Sequence, residues 1–234
     1  MLSRLTRRRF IRHLSAFTAW VAAVTGGFGL TLGNAWAAVK RKLLPAGTPR
    51  EALANMTPSL IDARNIPLTP LNAFEVIGTD DYRADMDRWR LNIVGVVSNP
   101  LRLSYDELLR QPAVERKVPL ICPLTFANQG RWKGVAIWPL LERAGLSLEA
   151  THLAVEGPEG DEAHRRIFTM DDVRSGKLFL CYEVNGEPLP VKHGYPLRLV
   201  ADDEYGDRWV KYVYKLEALI GGEETLPENF TPGL

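Results

Sequence analysis

The chain has 234 residues, 46% hydrophobic and 24% charged, with a formal net charge of +1, two cysteines and four histidines. Residues 1–37 carry five arginines and no acid, so a product starting at Ala38 has 197 residues (234 less 37) and a charge of −4 (24 bases against 28 acids). That length suits one substantial core and excludes a multidomain machine, two cysteines exclude a disulfide-dense scaffold or an all-cysteine metal centre, and mild acidity offers no basic footprint for nucleic acid.

The chain opens with Thr6, three arginines at 7–9, Phe10, Ile11 and Arg12, then an apolar stretch over residues 14–32 and the small-residue site Ala35, Trp36, Ala37. A basic head, an apolar middle and an A-x-A site are the parts of an export signal. Residues 14–32 are barely long enough to span a bilayer, and glycines and threonines dilute them, so a cleaved signal is preferred over an anchor. The threonine before the arginines and the triplet after them resemble the bacterial twin-arginine address. That resemblance implies folded export to the periplasm, often after a redox cofactor has been inserted.

Residues 38–67 begin with a basic Lys-Arg-Lys run at 40–42 and are punctuated by prolines at 45, 49, 58 and 67, which suits an extended tether or wrapping segment. Regular structure is expected from Trp89. Residues 89–94 alternate apolar and polar as a strand does, and Ser104 followed by Glu107 is a capping box for a short helix before Pro112. Residues 118–122 form a β-prone run interrupted by Pro119 and stopped by Pro123. Residues 137–144 read as a helix ended by Gly145, 152–155 as a short strand, and 168–173 as a turn into a brief helix with an acidic first turn. Residues 178–184 are strand-like before the Asn185-Gly186 turn, and 197–200 and 209–216 complete the strands. The pattern is a mixed, mainly β, α+β domain with short helices. It contains no GxGxxG, no Walker loop and no repeat.

Cys122 is the leading chemical residue. It ends an apolar strand beside polar Thr125, Asn128, Gln129 and Arg131, where a sulfur suits a nucleophile, a metal ligand or a plain buried side chain. Cys181, inside an apolar strand, reads as a core residue, with a Cys122–Cys181 disulfide as the alternative. A second polar concentration runs from Lys192 and His193 to Arg198, then Tyr205 to Arg208 and Lys211. His, Arg, Lys and glycine backbone would cradle a phosphate; the plainer account is a proline-shaped hairpin with solvated bases. Cys122 and His193 would form a cysteine-hydrolase pair if the fold joined them.

These blocks together resemble the molybdopterin-binding domain of the sulfite oxidase superfamily. The likeness runs from LTPLNAF at 68–74 through WRLNIVGVVSNPLRLSYDELL at 89–109, the Cys122 block and WKGVAIWPLLERAGL at 132–146. It continues in YEVNGEPLPVKHGYPLRL at 182–199 and EYGDRWVKYV at 204–213. The resemblance implies a sulfite-oxidase-like fold over residues 68–220, after the signal (1–37) and the proline-containing segment (38–67) and before a short tail (221–234). It implies an oxidoreductase carrying molybdenum-molybdopterin, a pyranopterin dithiolene. Cys122 takes the place of the family's metal-binding, catalytic thiolate. His193, Arg198, Gly206 and Lys211 match its cofactor-binding blocks, Asn72 and Phe74 resemble its first cofactor-side motif, and Trp132 and Gly134 match a shaping loop.

Departures bear on the substrate. Sulfite-oxidising members commonly carry FFVRNH where this chain has Phe74 to Thr79 as FEVIGT, without the arginine and histidine. Asp202, Asp203 and Glu204 replace a proline–glycine, adding acids near an anion region, and the residues after Cys122 differ from both branches. The first motif therefore favours the methionine-sulfoxide-reductase branch and two-electron reduction of a small S-oxide. A sulfite dehydrogenase, or a catalytically silent cofactor-binding or interaction module, is the alternative. No stretch matches an immunoglobulin-like dimerisation domain, the long C-terminal extension of the reductase branch or a C-x-x-C-H haem motif. A separate electron carrier or membrane haem subunit is therefore expected, with a small-molecule substrate, no nucleic acid and no stable membrane span after cleavage.

Overall fold

The computed structural model describes residues 41–158 and 164–222. The leader expected at 1–37, and all of the expected tail beyond Gly222, lie outside the described residues. In chain order the elements are β1 (Lys42–Leu43), α1 (Arg50–Leu53), β2 (Ile61–Asp62), β3 (Leu91–Gly95), β4 (Leu101–Leu103), α2 (Tyr105–Leu109), β5 (Ala113–Cys122), β6 (Phe126–Ala136), α3 (Ile137–Arg143), β7 (His152–Glu156), β8 (Arg165–Thr169), α4 (Met170–Arg174), β9 (Leu178–Val184), β10 (Glu187–Pro188), β11 (Arg198–Ala201) and β12 (Lys215–Leu219). The fold is mixed α+β, dominated by sheet, with short helices.

Two five-stranded sheets organise it. One has the order β5-β6-β9, with β10 and β11 both paired to the far edge of β9; the other has the order β4-β3-β12-β7-β8, antiparallel except where β12 runs parallel to β3. A single apolar cluster joins them, drawing Leu91, Ile93, Val155 and Leu216 from the second sheet and Trp132, Leu180 and Leu199 from the first. Such burial, at about 25 cal/mol per Å² of apolar surface, is the main force fixing the sheets together.

Several expected elements form where their local chemistry placed them. Ser104 caps α2: its Oγ accepts from the Glu107 N–H (3.3 Å) while the Glu107 carboxylate accepts from the Ser104 N–H (2.8 Å). Gly145, at φ +69°, follows α3, and Asn185 and Gly186, at φ 56° and 89°, turn β9 into β10. Three differences follow from tertiary context. The polar residues after Cys122 belong to a strand that was not expected: a turn at 123–125 leads into β6, an eleven-residue strand whose Asn128 and Gln129 are buried. Residues 209–214 form no regular strand, because a 3-10 turn (Gly206–Arg208) and Tyr212 at φ 56° bend the backbone, and β12 begins only at Lys215. Residues 165–169 form β8, paired with β7 along its length.

Pro119 lies inside β5 without breaking it. It sits opposite Gln129, whose N–H donates to Thr69 Oγ1 (3.0 Å) and whose carbonyl accepts from the Thr69 N–H (2.8 Å). That rung is spent on Thr69, so the missing proline donor leaves nothing unpaired, and β5 is an edge strand where proline is tolerated.

From Arg41 onward the proline-rich segment is a docked wrap. Leu44, Leu53, Ile61, Ala63 and Ile66 form their own apolar cluster with Ile121 and Ala127 at the tip of the β5–β6 hairpin. Buried Gln129 donates through Nε2 to the Ala63 carbonyl (2.8 Å), and Asn185 donates through Nδ2 to the Thr69 carbonyl (2.9 Å). The wrap thus covers the stretch of β6 that β9, which pairs only from Trp132, does not reach.

Candidate functional site

Cys122 is the last residue of β5, half-buried at the margin of the main core. The turn after it is pinned: Thr125 N–H donates to the Cys122 carbonyl (3.1 Å), and Leu124 N–H donates to the Ala54 carbonyl of the wrap (3.0 Å). On its other side lies Gly206, where a Cβ would stand 2.9 Å from the cysteine Sγ and 3.1 Å from Leu120 Cδ1. Only glycine fits there without moving the sulfur. Burial pushes the Cys122 thiol up, Arg198 and Lys211 pull it down, and Asp207 and Glu75 oppose them, with a net rise. The thiol is therefore protonated near neutrality, and its thiolate is favoured by a cation at the sulfur, since metal ligands bind deprotonated.

His193 ends a 3-10 turn (Val191–His193) that Gly194 closes at φ +107°. Its ring is 1% exposed, stands edge-on to Phe74 at 5.5 Å between centroids, and has no hydrogen-bond partner at either nitrogen. Burial, then Arg198, Lys192 and Lys211, hold its pKa down to about 3, so the imidazole is neutral. No hydrogen bond joins it to Cys122, and the hydrolase pair is not formed.

Arg198, the first residue of β11, is 4% exposed. Its guanidinium donates to the His193 carbonyl (3.1 Å) and lies 5.9 Å from the Trp132 ring centroid and 5.7 Å from that of Trp209. The two indoles meet edge-to-face at 5.5 Å, and Trp132 donates through Nε1 to the Val118 carbonyl (2.9 Å). A cation over aromatic faces gains attraction from the ring quadrupoles, which helps hold the guanidinium in this buried position. Gly134 shapes the same sheet: a Cβ there would be 1.8 Å from the Leu180 carbonyl oxygen, at the bulge where β6 closes on β9.

Lys211, 8% exposed, packs its stem against Gly194, where a Cβ would meet it at 3.2 Å. Its Nζ donates to the carbonyls of Ile77 (3.0 Å) and Thr79. Phe74, His193 and Arg198 are thus joined by contacts, Lys211 packs beside them at Gly194, and the Cys122–Gly206 pair feels the charges of Arg198 and Lys211. Asn72 does not join them by a side-chain contact: it is exposed on the 3-10 turn Leu71–Ala73, two residues before buried Phe74. Cys181 is apart as well, fully buried on β9 with its thiol on the Glu183 carbonyl (3.1 Å) and pushed by burial up to about 12; both cysteines are free.

The acids at 202–204 are compensated. Asp202 and Asp203 both pair with Arg41, Asp203 also with Lys177 (2.6 Å), and Glu204 with Arg208 (3.3 Å). Their weight against an anion is correspondingly small, a pairing that sequence could not reveal because Arg41 is 161 residues from Asp202. Sequence reasoning also missed how Asn128 clamps Glu75 and how Glu75 and Asp207 bear on the thiol. The polar run after Cys122 was the available signal for the first, and it resembled a loop.

Among the described residues, no group of three or more His, Cys, Asp or Glu side chains is placed to hold a metal ion. One soft thiol beside two buried cations, an unpartnered buried imidazole and two glycine gaps suits a metal whose other ligands come from an anionic organic group. No helix among these residues is long and apolar enough to cross a membrane.

The oxidoreductase molybdopterin binding domain family matches residues 78–221. The chain is 33% identical over 129 residues to the uncharacterized oxidoreductase YuiH of Bacillus subtilis (strain 168), across 54% of this chain and 64% of that protein. It is 31% identical over 146 residues to the protein-methionine-sulfoxide reductase catalytic subunit MsrP of Gluconobacter oxydans (strain 621H), across 56% and 47%. Identity to the mitochondrial sulfite oxidase of Macaca fascicularis is 32% over 157 residues, across 55% and 29%. The crystal structure of the sulfane dehydrogenase SoxCD from Paracoccus pantotrophus superposes with a TM-score of 0.56 and 28% identity, covering 60% of this chain and 40% of that one. The chain spans less than two thirds of each of these relatives. Near-equal identities to MsrP and sulfite oxidase give no special kinship with the sulfoxide-reductase branch.

Proposed function

We propose that this chain, which belongs to the oxidoreductase molybdopterin binding domain family, is a molybdenum-pyranopterin enzyme that moves one oxygen atom and two electrons to or from a small substrate. The observation that carries the reading is the convergence of Cys122, Gly206, His193, Arg198 and Lys211 described above. When bound, the cofactor supplies the two-electron change and the oxygen exchange. The chain's own part is binding and electrostatics. Cys122 would ligate the metal, Arg198 and Lys211 would hold the anionic part of the cofactor, neutral His193 would hydrogen-bond its polar edge, and Phe74 with Asn72 would border the cofactor side.

Reduction of a small S-oxide such as methionine sulfoxide is the preferred direction: sulfoxide, two electrons and two protons give thioether and water. Its support is the segment 74–79, which brings Ile77, Gly78 and Thr79 toward the site with no cationic side chain, as a neutral substrate permits. Sulfite dehydrogenation is the second reading, favoured by the compensation of Asp202, Asp203 and Glu204. We further propose a domain over 68–220, export by the twin-arginine route to the periplasm, and a separate carrier or membrane haem subunit as electron partner.

The decisive experiment uses exported protein from a molybdenum-supplied bacterial host, assayed for metal and pterin. About one of each per chain is expected, and stoichiometric zinc without pterin would end the assignment. Turnover of methionine sulfoxide with a reduced artificial donor is then compared with sulfite and an artificial acceptor. A kcat/KM at least tenfold higher for sulfite, about 1.4 kcal/mol, reverses the direction. Cofactor without turnover on either supports a silent module. Periplasmic accumulation of the double variant Arg7→Lys, Arg8→Lys would remove the twin-arginine reading.

A further inference from the structure

Residues 74–82 cross the site as a strap fastened at two points. At the first, Asn128, fully buried on β6, accepts from the Glu75 N–H through Oδ1 (3.1 Å) and donates to the Glu75 carbonyl through Nδ2 (2.8 Å), so a side-chain amide imitates a rung of strand. At the second, Lys211 donates to the carbonyls of Ile77 and Thr79, and the Tyr212 hydroxyl donates to that same Thr79 carbonyl (3.2 Å). Gly78, at φ +76°, gives the turn that brings two carbonyls, two residues apart, onto one ammonium. Tyr82 packs its ring against that of Tyr212, tilted at 54° with centroids 5.0 Å apart, at the strap's far end.

The two fastenings differ in chemistry. Asn128 is neutral and deep, and the strap uses both ends of its amide. Lys211 is a cation whose ammonium donates to two carbonyls of the strap, and its charge bears on both Cys122 and His193. Charge-assisted bonds to an anion are about twice as strong as neutral ones, and an ammonium shared between anion and carbonyls holds both in one place. We propose that Asn128 and Lys211 are positioning residues that make this strap anion-responsive: Asn128 is its fixed hinge, and Lys211 ties its other limb to the anion the site holds, so the strap tightens as the anion binds. The inference rests on reading Lys211 and Arg198 as anion holders. Linkage makes the effect reciprocal, so a tightened strap slows loss of the anion.

Hydrogen exchange on the full cofactor-free chain, with and without inorganic pyrophosphate, tests this while calorimetry follows binding. Amides of residues 76–81 should exchange roughly tenfold more slowly with pyrophosphate, within the 5–150-fold span usual for coupled sites. The cofactor-loaded protein should show the same protection. Lys211→Met should lose the gain while pyrophosphate still binds through Arg198, and Lys211→Arg should restore part of it. Asn128→Leu should speed exchange at Glu75 in both states and leave the β12 amides unchanged, which a general loss of stability would not do. If Asn128→Leu does not fold, the lysine variants decide alone. Pyrophosphate binding without added protection, or a gain that survives Lys211→Met, overturns the strap proposal and leaves the cofactor reading intact. No pyrophosphate binding and no pterin defeats both.

Discussion

The sheet of β5, β6, β9, β10 and β11, with its flanking turns, buries Thr69, Asn128, Gln129, His193, Arg198 and Lys211, whereas the strands of the other sheet bury only apolar residues such as Leu91, Ile93, Leu153, Phe168 and Leu216. The charges of the second sheet are half-buried or exposed and pair locally: Glu156 meets Arg165 (3.0 Å) and Lys215 (2.8 Å). A buried polar atom without a partner costs about 1–3 kcal/mol, so His193, with two, is held against the interest of stability. Departures from the rules of a well-packed core gather where a protein has work to do. The first sheet gives up stability to hold a site, and the second supplies the stability that makes this tolerable.

The sharpest way to break that division is a reciprocal pair of variants. Cys122→Ser should lower turnover of the loaded protein at least about a thousandfold, roughly 4 kcal/mol in the barrier, while changing unfolding free energy by under about 1 kcal/mol. Leu216→Ala, at a fully buried position of β12, should do the reverse, costing about 2–5 kcal/mol of stability with unchanged activity per folded molecule. Urea unfolding and steady-state kinetics on both variants suffice. A catalytic loss in Leu216→Ala that outlasts correction for the unfolded fraction would dissolve the distinction.

Gly134→Ala probes whether the first sheet has slack. The added Cβ cannot fit beside the Leu180 carbonyl, so β6 must move off β9, at a cost of about 1–3 kcal/mol or more. Trp132, two residues earlier, would shift with it, and pyrophosphate affinity at Arg198 should fall as well. Retained affinity would show that the two indoles do not set the position of the guanidinium.

Sequence revealed the parts of this arrangement that depend on near neighbours. The capping box at Ser104, the Asn185-Gly186 turn, β9 and α3 are local chemistry, and they formed where expected. The mainly β, α+β class was legible in the succession of short strands and helices, and the ordered motifs singled out Cys122, His193, Arg198 and Lys211 as candidates. What escaped were pairings between distant residues. Asn128 and Gln129 look like loop polars until the wrap is laid beside them, and Asp202 and Asp203 look like free acids until Arg41 arrives. The irregular course of 209–214 was hidden because its side chains are as apolar as those of a strand.

Acid should separate the regions by pH window. His193 is neutral in the folded protein down to about pH 3 but takes a proton near 6.5 when unfolded. The unfolded state therefore binds more protons between those values, and stability falls as pH drops below 6.5, by up to about 1.4 kcal/mol per unit. Glu156 has the same sign in a lower window: burial raises its pKa, but Lys215 and Arg165 outweigh that and lower it from 4.5, so its contribution is lost only below that value. On cofactor-free protein, His193→Gln should flatten the urea midpoint between pH 6.5 and 5, whereas Glu156→Gln should lower the midpoint near neutrality and change its pH dependence only below about 4.5. Equal slopes for wild type and His193→Gln would mean the imidazole is not held neutral.

The smallest expected effect lies at the start of α2. Ser104→Ala removes the oxygen that accepts from Glu107 N–H and the hydroxyl that donates to the Glu107 carboxylate (2.9 Å), leaving only the backbone half of the capping box. Loss of such a cap costs about 1 kcal/mol. The helix buries Leu108 in the main core and sets Tyr105 edge-on to Trp89 (6.1 Å) and Tyr195 (5.9 Å), and Tyr195 lies two residues from His193. This scaffold element reaches the site's own loop through Tyr105 and Tyr195, so it tests whether small losses stay on their own side. If the regions are separable, the urea midpoint drops by the cap's worth and pyrophosphate affinity, read by calorimetry, does not move. An affinity loss of threefold or more, with the helix still formed, would show that Tyr105 transmits the fraying of α2 to the HGYPLR turn, and that stability and site are joined at this corner.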